Sequence, residues 1–442
     1  MSDIRADAST PVRVTRSEFW TAVVLFAALC VVVLIRSPQL LEPDDYAYRA
    51  SIVALSEGHL LLTNAQFLAL QLQLSRHGGE GILQWVHLRD GEWISQKNPG
   101  YPFLAVIFQW LHALRAAPLF FGACACGGLF YGARRWLGQW GGAVAVALYC
   151  SSGGALIFAW RATMPTFTDA SLIAAAAGLL LGVLLARDEP RRQRFVLGAL
   201  AFVALDGAVF VRYTDGVELV VALVAVFAFA RVCALTKTMV AGWVALVAAF
   251  AVFDLWINHL LYGGYLKTGY ASGLVTFASS AIVPNLERMP SRLAVSMPMS
   301  VLALAALIWI AVRISNSHAH GDLTARRDGA VATVLGVGWL ALWALYLAYT
   351  WTVAATTGPG NPVHVIRFYM PALGLLALLA SWFVLHLPRW SAPILLVALL
   401  GLGLWYYVAP SNDTIVRGPS PRHGVSPPTQ QPGPPSPAPS SG

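Results

Sequence analysis

The chain has 442 residues, of which 57% are apolar and only 11% are charged. Soluble globular proteins carry about 25% charged residues, so this composition excludes that class and is typical of a helical protein with many membrane spans. The apolar runs are also too long for a transmembrane β-barrel, whose strands alternate over about 10 residues. The net charge of +8 lies in short clusters between apolar runs, which indicates membrane orientation and not a nucleic-acid partner.

Eleven apolar runs are interpreted as membrane spans, preceded by a cytoplasmic N-terminal segment, residues 1–18. The runs are Phe19–Ile35, Pro118–Trp136, Gly141–Trp160, Ala170–Ala186, Phe195–Val211, Val217–Ala234, Val240–Leu260, Val295–Val312, Val331–Trp351, Pro371–Leu387 and Pro393–Val408. Another run, Tyr101–Leu111, is too short to cross about 30 Å of hydrocarbon and is interpreted as a dipping or interfacial helix. This choice keeps the Arg187–Arg194 cluster cytoplasmic, as the positive-inside tendency favours. The sequence therefore predicts an all-α polytopic membrane protein of about eleven transmembrane helices, with its C-terminus outside.

This topology gathers polar residues on the outer side of the membrane. The segment 37–99 becomes a long first exoplasmic loop carrying interfacial helices. Because charged residues are costly near hydrocarbon, their concentration on one face predicts a functional site there. Residues 19–409 form one transmembrane domain, and 410–442 is a tail with ten prolines and few large apolar residues. Such a tail is predicted to be disordered.

Two adjacent carboxylates, Asp44 and Asp45, follow the first span in the sequence Glu42-Pro43-Asp44-Asp45. Neighbouring carboxylates raise each other's pKa and are suited to act as a base or to bind a cation. An ordinary helix N-terminus shows the same pattern without any chemical role, because acidic residues stabilise the first helical turn. The pattern alone leaves both interpretations open.

The sequence resembles a known family at these residues. Asp44-Asp45-x-x-Tyr48, followed by Ser-Glu-Gly-His-Leu, is similar to the first exoplasmic loop of the GT-C glycosyltransferase superfamily. The similar branch contains the protein O-mannosyltransferases and the lipid A aminoarabinose transferases. Further matching motifs cover most of residues 19–408: Gln96-Lys97-Asn98-Pro99-Gly100-Tyr101-Pro102, Arg161 with Thr168-Asp169, Arg212-Tyr213-Thr214, Asn258 with Tyr262-Gly263 and Thr268-Gly269-Tyr270, and Arg367-Phe368-Tyr369-Met370-Pro371.

The resemblance implies a hexosyl or pentosyl transferase at the outer face of the cytoplasmic (inner) membrane. Its donor would be a polyprenyl-phosphate sugar and its acceptor a glycan, a lipid or a protein. In this family pattern Asp44 is the general base that takes the acceptor's proton. Asp45 positions the base or the acceptor, and Asp169 lines the same cavity.

Polyprenyl phosphate is a good leaving group once its negative charge is stabilised. The active site therefore needs cations next to the phosphate. The resemblance implies that Lys97 faces the donor's phosphate. Arg161, Arg212 and Arg115 are the other cations on the predicted outer face that could complete a phosphate clamp. Arg212 could instead form a local pair with Asp215 in its own turn.

Two departures from the family pattern concern Asp45, where the family has Glu, and Gln96, where the aminoarabinose branch has Glu. Since an amide is a poorer metal ligand than a carboxylate, a divalent ion is left open and no metal ligand is assigned. No nucleotide-binding Gly motif follows a strand, which disfavours a nucleotide-sugar donor. A transporter or flippase for a lipid-linked saccharide is disfavoured because no internal repeat is evident. A non-catalytic scaffold is disfavoured by the intact Asp44 and Lys97.

Overall fold

The computed structural model describes residues 14–37, 43–75, 84–88, 91–270, 276–317, 322–357 and 365–409. The predicted disordered tail lies outside the described residues. The α-helices run in chain order as α1 Arg16–Ile35, α2 Pro43–Ser56, α3 Asn64–Ser75, α4 Gly100–Trp110, α5 Ala116–Leu137, α6 Gly141–Cys150, α7 Gly153–Trp160, α8 Thr166–Leu185, α9 Arg191–Val211, α10 Gly216–Phe229, α11 Lys237–Tyr262, α12 Ile282–Ser296, α13 Met299–Ser317, α14 Leu323–Leu347, α15 Thr350–Thr357, α16 Leu373–His386 and α17 Ser391–Val408. The strands are β1 Leu62–Thr63, β2 Trp85–His87 and β3 Glu92–Ser95.

Membrane-spanning helices dominate the fold, which confirms the predicted all-α polytopic class. In the described part of the chain, eight helices are long and apolar enough to cross a bilayer: α1, α5, α8, α9, α11, α13, α14 and α17. Helices α6 and α7 are bent by 63° at the break between them, and the number rises to nine if this pair is counted as one span. Each of the eleven predicted runs contains a helix, yet the number eleven is not confirmed. Helices α10 and α16 have 14 residues each, about 21 Å of helix against about 30 Å of hydrocarbon.

The predicted dipping helix is α4, which has 11 residues and is therefore only about 16 Å long. Tyr101 and Ala105 are buried against the neighbouring helices, whereas Trp110 and Leu111 are exposed at the other end. A helix of this length cannot cross the hydrocarbon layer, as the sequence predicted.

The segment after α1 carries its own small core. Strands β1, β3 and β2 form an antiparallel sheet in that order, with Leu62 opposite Trp93. Helices α2 and α3 pack beside it and bury Val53, Phe67 and Trp85. The first loop is therefore a folded element that can hold the start of α2 in one position.

Helices α5 and α8 approach each other until their backbones are in contact. A Cβ added to Gly178 would lie 2.2 Å from the carbonyl group of Gly128. A Cβ on Gly128 would lie 2.5 Å from the carbonyl oxygen of Ala175. Small residues allow such close packing of membrane helices, and this contact anchors α8, whose first turn carries Asp169.

Gly128→Ala is expected to destabilise the protein by about 1–3 kcal/mol, the usual cost of forcing extra volume into a packed core. Thermal unfolding in a mild detergent measures this change. Gly127→Ala, one residue away, is the matched control because nothing lies within 4 Å of its added Cβ. Equal stability of the two variants would contradict the backbone contact between α5 and α8.

Candidate active site

Helix α2 presents Asp44 and Asp45 in its first turn, directly after Pro43. Proline and acidic residues are both favoured there, because the first amides of a helix lack partners and carry partial positive charge. Successive helical residues are rotated by about 100°, so the two carboxylates face different neighbours. Asp44 is 8% exposed and Asp45 is fully buried.

Asp44 is held between two cations. Its Oδ1 lies 2.9 Å from Lys97 Nζ, and its Oδ2 accepts a hydrogen bond of 2.7 Å from Arg367 Nη1. We call Asp44, Lys97 and Arg367 the Asp44 clamp. Burial alone would raise the pKa of Asp44, but the charges of Arg367 and Lys97 outweigh burial and hold this pKa well below its usual range. Asp44 is therefore ionised in this state.

Lys97 is fixed by the turn between β3 and α4. A Cβ on Gly100 would lie 2.3 Å from the backbone of Phe210, at the end of α9. Asn98 donates a hydrogen bond of 3.2 Å from Nδ2 to the carbonyl oxygen of Val211. The motif that contains Lys97 thus packs against the end of α9, and this contact places the lysine next to Asp44.

Arg367 is supported by aromatic rings. Its guanidinium lies 5.0 Å from the ring centroid of Trp351 and 4.8 Å from that of Phe368. Arg212 lies 5.6 Å from the same Phe368 ring and donates a hydrogen bond of 3.1 Å to the backbone carbonyl of Arg367. Cation–π contacts hold guanidinium groups without neutralising their charge, so the rings position both arginines while their charge remains available to the carboxylates that they pair with.

Asp45 makes a separate, fully buried ion pair. Its Oδ2 lies 2.5 Å from Arg161 Nη2, and its Oδ1 accepts a hydrogen bond of 2.9 Å from the Thr163 hydroxyl. Both carboxylate oxygens are thereby occupied. This pair ties the start of α2 to the turn after α7.

Asp169 lies on α8 and pairs with Arg212, with 3.3 Å between Oδ2 and Nε. The sequence had left open a local pair between Arg212 and Asp215. The ion pair is with Asp169 instead, and Asp215 is buried next to it. Burial, together with the neighbouring charge of Asp169, raises the pKa of Asp215 well above its usual value. A proton kept by Asp215 relieves the repulsion between two buried carboxylates.

Arg115 lies apart from these ion pairs. One of its guanidinium nitrogens, Nη2, donates hydrogen bonds of 3.1, 3.1 and 2.7 Å to the carbonyl oxygens of Val33, Leu34 and Arg36. These carbonyls end α1, where a positive charge offsets the helix dipole. Arg115 therefore caps α1 and is left out of the proposed phosphate clamp.

Sequence reasoning assigned no role to Arg367, Gln84 or Tyr270. Arg367 was noted only as part of a motif. Its position directly before an apolar run on the predicted outer face could have indicated that it belongs to the site. Its partner Asp44 lies 323 residues away, which no local pattern reveals. Gln84 lies near Asp44 and helps to lower its pKa, and the Tyr270 hydroxyl accepts a hydrogen bond of 3.4 Å from Lys97.

The described residues around Asp44 do not fit a divalent metal ion. Over the ranges that the structure describes, no three His, Cys, Asp or Glu side chains converge as ligands. Both oxygens of Asp44 are taken by cations, and a metal ion there would be repelled by Lys97 and Arg367.

No family model matches this sequence, and no curated protein matches it either. Solved structures resemble its fold at low sequence identity. ArnT from Cupriavidus metallidurans in the apo state is 16% identical, with a TM-score of 0.49 over 87% of this chain and 63% of that one. ArnT bound to undecaprenyl phosphate is 15% identical, with a TM-score of 0.48 over 91% of this chain and 75% of that one.

The oligosaccharyltransferase of Archaeoglobus fulgidus in the apo form is 11% identical, with a TM-score of 0.49 over 90% of this chain and 55% of that one. This chain thus spans little more than half of the oligosaccharyltransferase and less than two thirds of apo ArnT. At 11–16% identity, the similarity of this chain to ArnT and to the oligosaccharyltransferase is one of fold alone.

Proposed function

We propose that this protein transfers a sugar from a polyprenyl-phosphate donor to an acceptor at the outer face of the membrane, with Asp44 as general base. The observation that carries this proposal is the Asp44 clamp, a buried carboxylate held by two cations at the edge of an apolar helical domain. The clamp has an excess of positive charge, and lysine with arginine is a favourable pair for a phosphate.

Donor binding activates the base in this proposal. The donor's phosphate competes with Asp44 for Lys97 and Arg367 and draws both cations away from the carboxylate. Because these cations are what lowers the pKa of Asp44, their withdrawal raises it and makes Asp44 a better proton acceptor. The base is thus switched on only when a donor is present.

Transfer then takes place in one displacement at the anomeric carbon. Asp44 takes the proton of the acceptor hydroxyl, and the hydroxyl oxygen forms a bond to the anomeric carbon. The bond between that carbon and the phosphate oxygen breaks, and the electron pair leaves with the polyprenyl phosphate. Lys97 and Arg367 stabilise the charge that develops on this leaving group.

Lys97→Ala is expected to weaken binding of undecaprenyl phosphate by roughly 10- to 100-fold, the effect of losing one charge-assisted hydrogen bond. Lys97→Arg is expected to retain most of the affinity, because the proposed role is a positive charge next to a phosphate. Titration of the purified protein with undecaprenyl phosphate measures both. This lipid is chosen because it is the one bound in the solved ArnT structure.

Lys237→Ala is the control, since Lys237 is exposed at the start of α11. It removes a lysine without touching the clamp and should bind like the wild type. Equal affinity of the wild type, Lys97→Ala and Lys97→Arg would remove Lys97 from the donor site.

One observation favours the second candidate, a transporter or flippase for a lipid-linked saccharide. The apolar helices α6 and α7 meet at a break with a bend of 63°, and broken helices are common in transporters. Reconstitution in vesicles with a hexosyl undecaprenyl phosphate separates the two functions. Sugar appearing on an added acceptor supports transfer, whereas unmodified lipid moving between leaflets supports transport.

A further inference from the structure

A cluster of exposed arginines lies at the end of the membrane domain opposite the Asp44 clamp. Arg187 stands just after α8, and Arg191 and Arg192 begin α9. We call these three residues the α9 basic patch. Helix α9 has 21 residues, and its other end packs against the turn that carries Lys97. The patch is therefore about 30 Å from that turn along the helix, on the side that the sequence predicts to be cytoplasmic.

The patch keeps its positive charge because its acidic neighbours are paired elsewhere. Asp188 and Glu189 follow Arg187 in the chain, and both form ion pairs with Arg135 of α5, Asp188 at 3.2 Å. Among the residues that the structure describes, no carboxylate forms an ion pair with a member of the patch. Three guanidinium groups without a counter-charge favour an anionic ligand, and guanidinium is well suited to phosphate.

Arg194 fixes the backbone beneath the patch. Its side chain is buried. It donates a hydrogen bond of 3.3 Å from Nε to the carbonyl oxygen of Val183 and one of 2.6 Å from Nη2 to that of Cys233. These bonds tie the start of α9 to the end of α8 and to the connection between α10 and α11. The backbone that carries the patch is thus ordered before any ligand binds, which lowers the entropy cost of binding.

A shallow groove of about 360 Å³ continues from the patch onto the outer side of α9, and this volume is within the range of ligand sites. Its lining consists of Pro190, Arg192, Gln193, Val196 and Leu197. Val196, Leu200 and Val203 are exposed, and we call them the α9 apolar stripe. They follow Arg192 at spacings of three or four residues, which places all four on one face of the helix. The groove therefore joins a cation to an apolar surface that faces the bilayer.

We infer that the α9 basic patch binds an anionic phospholipid of the bilayer, with the lipid's phosphate at Arg192 and an acyl chain along the α9 apolar stripe. Arg187 and Arg191 add the charge that favours an anionic headgroup over a zwitterionic one. A free phosphate would meet the same guanidinium groups but would leave the apolar stripe uncovered, so a lipid fits the groove better. The inference does not rest on the proposed function, because the patch and the clamp lie at opposite ends of α9.

The test uses the full chain, stripped of lipid in a mild detergent, and native mass spectrometry to measure lipid binding. The wild type is expected to bind phosphatidylglycerol at least about 10-fold more tightly than phosphatidylcholine, and an equal concentration of inorganic phosphate should not displace it. Arg187→Gln combined with Arg192→Gln is expected to weaken phosphatidylglycerol binding by roughly 10- to 30-fold, with little change for phosphatidylcholine. Both residues are exposed, and gel filtration verifies that the variant is folded.

Arg326→Gln combined with Arg389→Gln is the matched control. Both arginines are exposed, one at the start of α14 and the other between α16 and α17. Trp136 near the end of α5 and Trp382 of α16 donate hydrogen bonds to Asp328 of α14, so these helix ends lie on the same side as the patch. The control removes the same charge from other helices and should keep the wild-type affinity for phosphatidylglycerol.

Four results would overturn the inference. The wild type could bind the two lipids equally, or the patch variant could keep its affinity for phosphatidylglycerol. An equal loss in the patch variant and in the control would show a general effect of net charge. Displacement of the lipid by inorganic phosphate at equal concentration would show a site for a free anion. None of these results depends on sugar transfer, so the proposed function is tested separately.

Discussion

Asp44→Asn is expected to reduce sugar transfer by at least about 10²-fold, the lower end of the contribution of a positioned general base. Asparagine keeps the size of aspartate and one acceptor oxygen, but it cannot take up a proton at neutral pH. If Asp44 served only to start α2, asparagine would be an equally good residue there and transfer would hardly change. The rate of transfer from a hexosyl undecaprenyl phosphate under single-turnover conditions measures the difference.

The same variant separates loss of chemistry from loss of the site. Asp44 competes with the donor's phosphate for Lys97 and Arg367, so its neutralisation should leave the affinity for undecaprenyl phosphate equal or higher. Asp188→Asn is the control, because Asp188 forms an exposed pair with Arg135 away from the clamp. An Asp44→Asn protein that binds the lipid and transfers sugar at the wild-type rate would end the catalytic assignment.

Arg161→Met is expected to destabilise the folded protein by about 3–5 kcal/mol, the cost of removing one partner of a buried ion pair. Asp45 would be left charged in a place with no exposure to water. The double variant Asp45→Asn with Arg161→Met removes both charges and should recover much of this loss. Thermal unfolding in detergent measures all three proteins.

Arg231→Met provides the comparison, since Arg231 is exposed after α10 and its loss should change little. Arg161→Met with wild-type stability would contradict the buried pair. The double variant could regain stability but not sugar transfer. That result would show that the pair fixes the position of α2 in addition to stabilising its fold.

Much of the candidate site follows from the order of the sequence motifs. Polar residues at the edge of an apolar segment must lie on one side of the membrane or the other once the segment is inserted. The site residues at such edges are Asp44, Lys97 and Arg212. Hydropathy therefore predicted helices at every run that it marked. The number of full spans is not confirmed, because α10 and α16 have only 14 residues each.

The pairing of charges could not be predicted in the same way. Asp44 and Asp45 are adjacent in sequence, but the helical turn directs them to separate cations, Arg367 and Arg161, far along the chain. Arg115 was an equally good candidate by position, yet packing brought it to the end of α1. Which arginine pairs with which carboxylate depends on distances of a few ångströms. Only the packed structure determines those distances.

The sequence by itself determined that this is a helical membrane protein with an acidic motif after its first span, because apolar runs and helix-start residues act locally. Only the tertiary structure decided that Asp44 lies between Lys97 and Arg367, and that Asp45 forms a buried ion pair with Arg161. These arrangements depend on contacts between distant segments. Close backbone approaches, such as that of Gly100 to Phe210, bring those segments together, and their effect is not encoded in any single stretch of the chain.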